Sequence, residues 1–147
     1  MREPVPGVLA GKGSLQASLA EEIEALGLDG RVDLAGFVPD DDLIDLYRDA
    51  AAVVYAPFDE DYGFVTLEAF LAGVPVVTAL DSGGTLEWVE HEVTGLVTDG
   101  SPEGIGAALD RLVADPEWAA ALGAAGRARV KELNWEHVVT TLIGPTH

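Results

Sequence analysis

The sequence predicts an α/β fold in which helices flank a parallel β-sheet. Short runs of β-branched and aliphatic residues alternate along the chain with stretches whose apolar residues recur at helical spacing. The run over residues 74–79 is almost continuously apolar, which is typical of a strand with both faces covered. Such alternation favours parallel strands joined by right-handed crossover helices.

The first third of the chain carries the signals of two strands, each followed by a helix. Residues 5–10 are predicted to form a strand, and Ser14 is the expected N-cap of a helix that ends before Gly27. A second strand over residues 31–36 leads to a helix whose first turn holds the acids of residues 40–42. We interpret these acids as favourable partners of the helix dipole rather than as a metal site. The apolar faces of the two helices are Leu15, Leu19, Ile23 and Leu26, and Leu43, Leu46, Tyr47 and Ala50.

Three further strands and two helices are predicted in the middle of the chain. The strands cover residues 51–56, 74–79 and 95–98, and the helices cover residues 65–72 and 86–91. Gly or Pro marks the breaks after residues 56, 72 and 79, since both residues interrupt regular structure.

The last third of the chain is predicted to be helical. Ser101 and Asp115 each precede a Pro-Glu pair, the pattern of an N-cap followed by proline in the first helical turn. A final helix is expected over residues 135–143. Because open parallel sheets bind ligands where strands lead into helices, four loops are candidates for a site: those after Ala10, Gly36, Ala56 and Ala79.

Composition excludes several classes of function. With 8 basic and 26 acidic residues the formal net charge is −18, which disfavours nucleic acid as a partner. The absence of cysteine excludes disulfides and thiolate chemistry. Neither a membrane-spanning run nor a secretory signal is evident, so a cytoplasmic protein is expected. The three histidines lack metal-ligand spacing, and neither a metal nor a cofactor is predicted.

The loop PFDEDYGFVTLEAF, which follows residues 51–56, is the most informative segment. Gly63 permits close approach of a ligand to the backbone, and Gly63, Phe64 and Val65 present free N–H groups at a helix N-terminus, which suits a phosphate. Glu60 and Glu68 could flank such a ligand, since carboxylates accept the hydroxyl hydrogens of vicinal diols. The pattern therefore indicates a diphosphate held between two sugars.

Glu60 and Glu68 resemble the E-x7-E motif of the family 4 retaining glycosyltransferases. The segments GFVPD, GVPVV, SGGTLE and TGLV occur around it in the order typical of that family. The resemblance covers nearly the whole chain. It implies the C-terminal, donor-binding half of a GT-B fold, a Rossmann-like domain that here lacks its first strand and helix.

The resemblance implies a role for each matching residue. Glu60 would contact hydroxyls of the donor sugar as the catalytic residue, and Glu68 would hold the ribose diol. Phe37 and Val38 would touch the nucleotide base. The remaining donor contacts would be the backbone N–H groups of Gly63, Phe64 and Val65. The residues that match the family's GG-x-x-E loop, a structural element near the donor, are Gly83, Gly84 and Glu87.

The implied function is metal-independent hexosyl transfer from a nucleotide-diphosphate sugar, with retention, once an N-terminal acceptor domain is supplied. The family's basic pair has no counterpart here beyond Lys12. A single partial domain over residues 1–147 is therefore expected to have negligible activity without the missing N-terminal domain or a partner chain.

The absence of the first strand leaves two possibilities for the arrangement of the sheet. Either residues 5–10 pair directly with residues 51–56, or another chain fills the gap, and an open sheet edge predicts association into a homo-oligomer.

The alternative functions are a non-catalytic nucleotide-sugar-binding or interaction module, a truncated remnant, and another nucleotide-sugar enzyme such as an epimerase.

Overall fold

The structure, a computed structural model, describes residues 5–133 and divides the chain into two compact units. Unit 1 is Met1–Ile44 and unit 2 is Asp45–His147. Parallel strands and flanking helices occur in both, so the predicted α/β class is confirmed. The helix predicted over residues 135–143 lies outside the described residues.

Unit 1 contains two parallel strands and the helix that connects them. β1 (Gly7–Ala10) leads through α1 (Gln16–Ala25) to β2 (Val32–Gly36), with a shift in register near the end of β1. α2 (Asp40–Asp49) follows, with three acids in its first turn as predicted. No residue between positions 5 and 44 is buried, so the apolar face predicted for α1 is half-buried or exposed.

Unit 2 holds a three-stranded parallel sheet with the order β3-β4-β5. Its elements are β3 (Val53–Val54), α3 (Phe64–Ala72), β4 (Val76–Ala79), a 3-10 helix (Gly83–Glu87), β5 (Gly95–Thr98), α4 (Pro102–Ala114) and α5 (Pro116–Lys131). β4 is central and buried along its whole length, as predicted from its apolar sequence. No helix within residues 5–133 is long and apolar enough to cross a membrane.

The core of unit 2 lies on both faces of β4. Successive side chains of a strand point to opposite faces, which places Val76 and Val77 in different clusters. Val76 packs with Phe70 of α3, whereas Val77 packs with Leu112 of α4. α5 contributes to both clusters, so α3, α4 and α5 are anchored to one strand.

Several predicted ends of elements are confirmed, and one cap is wrong. Ser101 and Asp115 cap α4 and α5 by accepting hydrogen bonds from Gly104 and Trp118. Ser14 does not cap α1, because Leu15 occupies the N-cap position. The N–H of Gln16, the first residue of α1, donates to the carbonyl of Gly13.

Two predicted elements differ in extent from those observed. The helix expected over residues 86–91 is a 3-10 helix that begins at Gly83, because the backbone there is held by a hydrogen bond from Gly84 to Glu60. The strand expected over residues 51–56 forms a ladder only at Val53–Val54.

Each unit has its own parallel sheet. Within residues 5–133, β1 pairs with β2 in unit 1, and the other three strands pair among themselves in unit 2. The pairing of residues 5–10 with residues 51–56, a completing chain, association through an open sheet edge and the single-domain organisation stay predictions.

Candidate functional site

The loop between β3 and α3 is fixed by hydrogen bonds to β4 and to the segment that follows it. The Tyr55 N–H donates to the Val77 carbonyl at 2.9 Å, and the Asp59 N–H donates to the Asp81 carbonyl at 2.9 Å. The Glu60 carbonyl accepts from a backbone N–H of the 3-10 helix at 2.6 Å. The backbone of Glu60 therefore has a defined position, although its segment is irregular.

Two glycines of the 3-10 helix allow this close approach. A Cβ on Gly83 would lie 2.6 Å from the Glu60 carbonyl oxygen, and a Cβ on Gly84 would overlap the carbonyl of Asp61. Gly83 also has a φ of +61°, which favours glycine. The glycine pair is consequently a structural support of the loop that carries Glu60.

The start of α3 presents unpaired donors. Gly63 is its N-cap, with a φ of +75°, and the carbonyl of Gly63 accepts the N–H of Thr66 at 2.9 Å. The N–H groups of Gly63, Phe64 and Val65 make no hydrogen bond within residues 5–133. Free N–H groups at a helix N-terminus favour an anion, and the anion site at this position stays a prediction.

A buried threonine limits what can replace Gly63. A Cβ at this position would lie 2.7 Å from the Thr85 hydroxyl oxygen, and that oxygen has no hydrogen-bond partner in the described part of the chain. A side chain on Gly63 would therefore be strained both by its backbone conformation and by this contact.

Each of the two candidate carboxylates accepts a hydrogen bond from a tyrosine. The Tyr55 hydroxyl donates to Oε2 of Glu60 at 3.0 Å, and the Tyr47 hydroxyl donates to Oε2 of Glu68 at 2.8 Å. Burial, and then the hydrogen-bonded Glu68, raise the pKa of Tyr47 far above its usual range. Burial, and then the hydrogen-bonded Glu60, raise the pKa of Tyr55 above its usual value. Both phenols are therefore protonated donors at neutral pH.

Aromatic rings lie around the start of α3. The rings of Tyr62 and Phe64 are 4.9 Å apart, and those of Tyr62 and Trp88 are 5.9 Å apart in an edge-on arrangement. Phe64 is 67% exposed, so an apolar surface accompanies the unpaired N–H groups.

The other candidate residues belong to other elements of the chain. Phe37 and Val38 follow β2 in unit 1, where the Lys12 ammonium lies 5.4 Å from the centre of the exposed Phe37 ring. Glu87 ends the 3-10 helix, and its carbonyl accepts a hydrogen bond from Arg129 at 2.8 Å. Their roles toward a donor stay predictions. Within residues 5–133, no group of three or more metal-ligating side chains could hold a metal ion.

The sequence does not mark Tyr47 and Tyr55 as site residues. Tyr47 lies 21 positions before Glu68, and the sequence suggests only that it belongs to the apolar face of α2. A phenol on an otherwise aliphatic face was the available signal, since the hydroxyl of a buried tyrosine usually finds a partner.

Comparison with known proteins identifies the family. The sequence pattern of the family described as "Glycosyl transferases group 1" matches residues 1–129. The D-inositol 3-phosphate glycosyltransferase of Rhodococcus jostii is 33% identical over 145 residues, which cover 97% of this chain and 32% of that protein. The human alpha-1,3/1,6-mannosyltransferase ALG2 is 40% identical over 89 residues, 60% of this chain and 21% of that protein. This chain thus spans between a fifth and a third of these relatives.

Solved structures agree in fold. Anabaena HepE in complex with UDP has a TM-score of 0.83 and 28% identity, with coverage of 94% of this chain and 40% of that one. Sucrose-phosphate synthase from Thermosynechococcus elongatus has a TM-score of 0.81 and 29% identity, with coverage of 92% and 36%. Together with the matching segments around Glu60 and Glu68, these likenesses show that the chain belongs to the group 1 glycosyl transferases and fits the C-terminal domain of their GT-B fold.

Proposed function

We propose that this chain binds the nucleotide-diphosphate sugar donor of a glycosyltransferase. In the proposed reaction a hexosyl group is transferred with retention and without a metal ion, and an N-terminal acceptor domain or partner chain supplies the acceptor. The observation that carries the proposal is the set of unpaired N–H groups at the start of α3, with an oriented carboxylate before it and another within it.

The N–H groups of Gly63, Phe64 and Val65 support binding of the diphosphate. They carry the partial positive charge of a helix N-terminus, which stabilises an anion by about 0.3–1 kcal/mol at an exposed site. Hydrogen bonds from these groups would also stabilise the charge that develops on the leaving diphosphate. HepE, a protein of similar fold, has been solved with UDP and with UDP-glucose.

The two carboxylates would bind the sugars at either end of the diphosphate. Glu60 would accept hydrogen bonds from hydroxyls of the transferred sugar, and Glu68 would accept them from the ribose diol. The Oε1 atom of each carboxylate accepts no hydrogen bond from residues 5–133, so it is available to a ligand. Phe37 and Val38 would contact the base.

Replacing Glu60 or Glu68 by glutamine is expected to weaken binding, but the two substitutions should affect different ligands. Glu68→Gln would lower affinity for UDP and UDP-glucose, or for GDP and GDP-mannose, about tenfold to hundredfold, because a hydrogen bond to a charged group contributes about 1.5–3 kcal/mol. Glu60→Gln would lower affinity for the nucleotide sugar and leave that for the nucleotide unchanged. Calorimetric titration measures both.

Glu103→Gln is the matched control for these variants. Glu103 lies in the first turn of α4, and its substitution removes the same charge. Affinities that fall equally in all three variants would contradict the assigned roles. A wild-type chain that binds none of the four ligands would contradict the proposed function itself.

Removal of divalent metal is expected to leave binding unchanged. In the proposed site the diphosphate is held by backbone N–H groups, so an excess of EDTA should alter the dissociation constant by no more than about twofold, or about 0.4 kcal/mol. Calorimetric titrations with and without EDTA check this. Binding that requires Mg²⁺ or Mn²⁺ would contradict metal independence.

One observation favours the second candidate, a nucleotide-sugar-binding module without transfer activity. The chain has 8 basic residues against 26 acidic ones, and none of the basic residues lies in the segment between Tyr55 and Glu68. A diphosphate leaving group is stabilised by positive charge. Donor binding without turnover, measured after an acceptor domain is supplied, would favour the binding module over the enzyme.

A further inference from the structure

The two candidate carboxylates have partners of the same kind although they lie on different elements. Glu60 is in the loop before α3 and Glu68 is within α3, yet each accepts a phenolic hydroxyl at its Oε2 atom. We call these contacts the tyrosine–carboxylate pairs: Tyr55–Glu60 and Tyr47–Glu68.

The rings of both tyrosines are held by the core of unit 2. Tyr47 and Tyr55 are half-buried and pack against the cluster that contains Phe70 and Val76. Tyr47 belongs to α2, and Tyr55 directly follows β3. Each phenol thus combines a ring fixed by apolar contacts with a hydroxyl directed at a carboxylate, an arrangement that suits tyrosine.

A tyrosine–carboxylate pair restricts the rotamers of the glutamate side chain and still leaves one carboxylate oxygen free. A free Glu side chain has several rotamers, and fixing one of them on ligand binding has an entropic cost. A hydroxyl bound at Oε2 selects the rotamer beforehand and leaves Oε1 to accept a hydroxyl of the ligand. The effect is larger for Glu68, whose side chain is exposed and has no other hydrogen-bond partner within residues 5–133.

We propose that Tyr55 and Tyr47 are positioning residues that orient Glu60 toward the transferred sugar and Glu68 toward the nucleoside, respectively. The proposal rests on the proposed function, because it concerns the same site. It differs in predicting that each phenol affects one end of the ligand. A phenol with a merely structural role would lower affinity only in step with a loss of thermal stability, and its removal would leave the carboxyl resonance of the glutamate in place.

The test compares nucleotide and nucleotide sugar in single hydroxyl deletions. Tyr55→Phe is expected to lower affinity for UDP-glucose about threefold to tenfold and to leave affinity for UDP unchanged. Tyr47→Phe is expected to lower affinity for both ligands by a common factor of about the same size. If the wild-type chain prefers the guanine nucleotides, GDP-mannose and GDP are the pair used.

Ser18→Ala is the control hydroxyl deletion. Ser18 lies on α1, where its exposed hydroxyl donates to the carbonyl of Leu15, and it has no assigned contact with the donor, so this variant should bind as wild type does. Melting temperatures identify variants that lose stability alone. Tyrosine variants that bind both ligands as tightly as Ser18→Ala would overturn the proposal and leave the proposed function standing.

A second measurement needs no ligand. The carboxyl carbon resonance of Glu68, assigned with Glu68→Gln, is expected to move at neutral pH in Tyr47→Phe and to stay in place in Ser18→Ala. The resonance of Glu60 should respond in the same way to Tyr55→Phe. Resonances that do not move would overturn the proposal directly. If they move but the wild-type chain binds no nucleotide, the proposed function fails, and with it the assignment of each pair to a sugar.

Discussion

Gly84→Ala is expected to lower affinity for the nucleotide sugar at least about tenfold and to reduce the free energy of unfolding by about 1–3 kcal/mol. The added Cβ would overlap the carbonyl of Asp61. Rotation of a side chain cannot relieve this contact, because both the new atom and its neighbour are held by the backbone. The loop must therefore move, which displaces Glu60 and strains the 2.6 Å hydrogen bond from the Gly84 N–H to the Glu60 carbonyl.

Gly106→Ala is the control for this variant. Gly106 lies within α4, and a Cβ there would meet no atom within 4 Å. Alanine is favoured over glycine inside a helix by about 1 kcal/mol, so this variant should bind normally and unfold at a slightly higher urea concentration. Calorimetry and urea unfolding measure both variants. Normal binding by Gly84→Ala would show that the glycine pair does not position the loop.

The sequence predicts the part of the fold that depends on local signals. Ser101-Pro102 and Asp115-Pro116 mark the starts of α4 and α5 correctly, because an N-cap and proline act within one helical turn. Gly73 marks the end of α3 for a similar reason, since its φ of +79° is a local requirement. Burial is not local. The apolar spacing of α1 resembles that of a core helix, yet no residue of α1 is buried.

The same distinction between local signals and contacts with distant residues applies to the candidate site. Its backbone donors follow from a glycine before a helix, and its carboxylates follow from a motif nine residues long, so both are visible in the sequence. The hydroxyl of Tyr47 reaches Glu68 from another helix, and no short spacing encodes that contact. The start of the 3-10 helix at Gly83 is likewise not predicted by the sequence, because the backbone there is hydrogen-bonded to Glu60, more than 20 positions earlier in the chain.

Phe70→Ala is expected to reduce the free energy of unfolding of unit 2 by about 3–5 kcal/mol. The Phe70 ring is fully buried and lies against Gly126, where a Cβ would meet the ring. Truncation would leave a cavity between α3 and α5. The two helices cannot close it, because they already meet at the backbone, where a Cβ on Gly123 would overlap the carbonyl of Gly73. Urea unfolding measures the loss. Phe70→Leu, which retains most of the volume, should cost less and keep the fold measurable if the alanine variant unfolds.

Phe58→Ala supplies the contrast, because Phe58 is 81% exposed and surface substitutions usually change stability by no more than about 0.5 kcal/mol. Equal losses at Phe58 and Phe70 would contradict the core described for unit 2.

The same variants test whether the core of unit 2 supports the candidate site. Phe70 anchors the helix that carries Glu68 and the N–H groups of Phe64 and Val65, so a loosened α3 should weaken nucleotide binding before it unfolds. Phe70→Leu is accordingly expected to lower affinity for the nucleotide, whereas Phe58→Ala is expected to leave it unchanged.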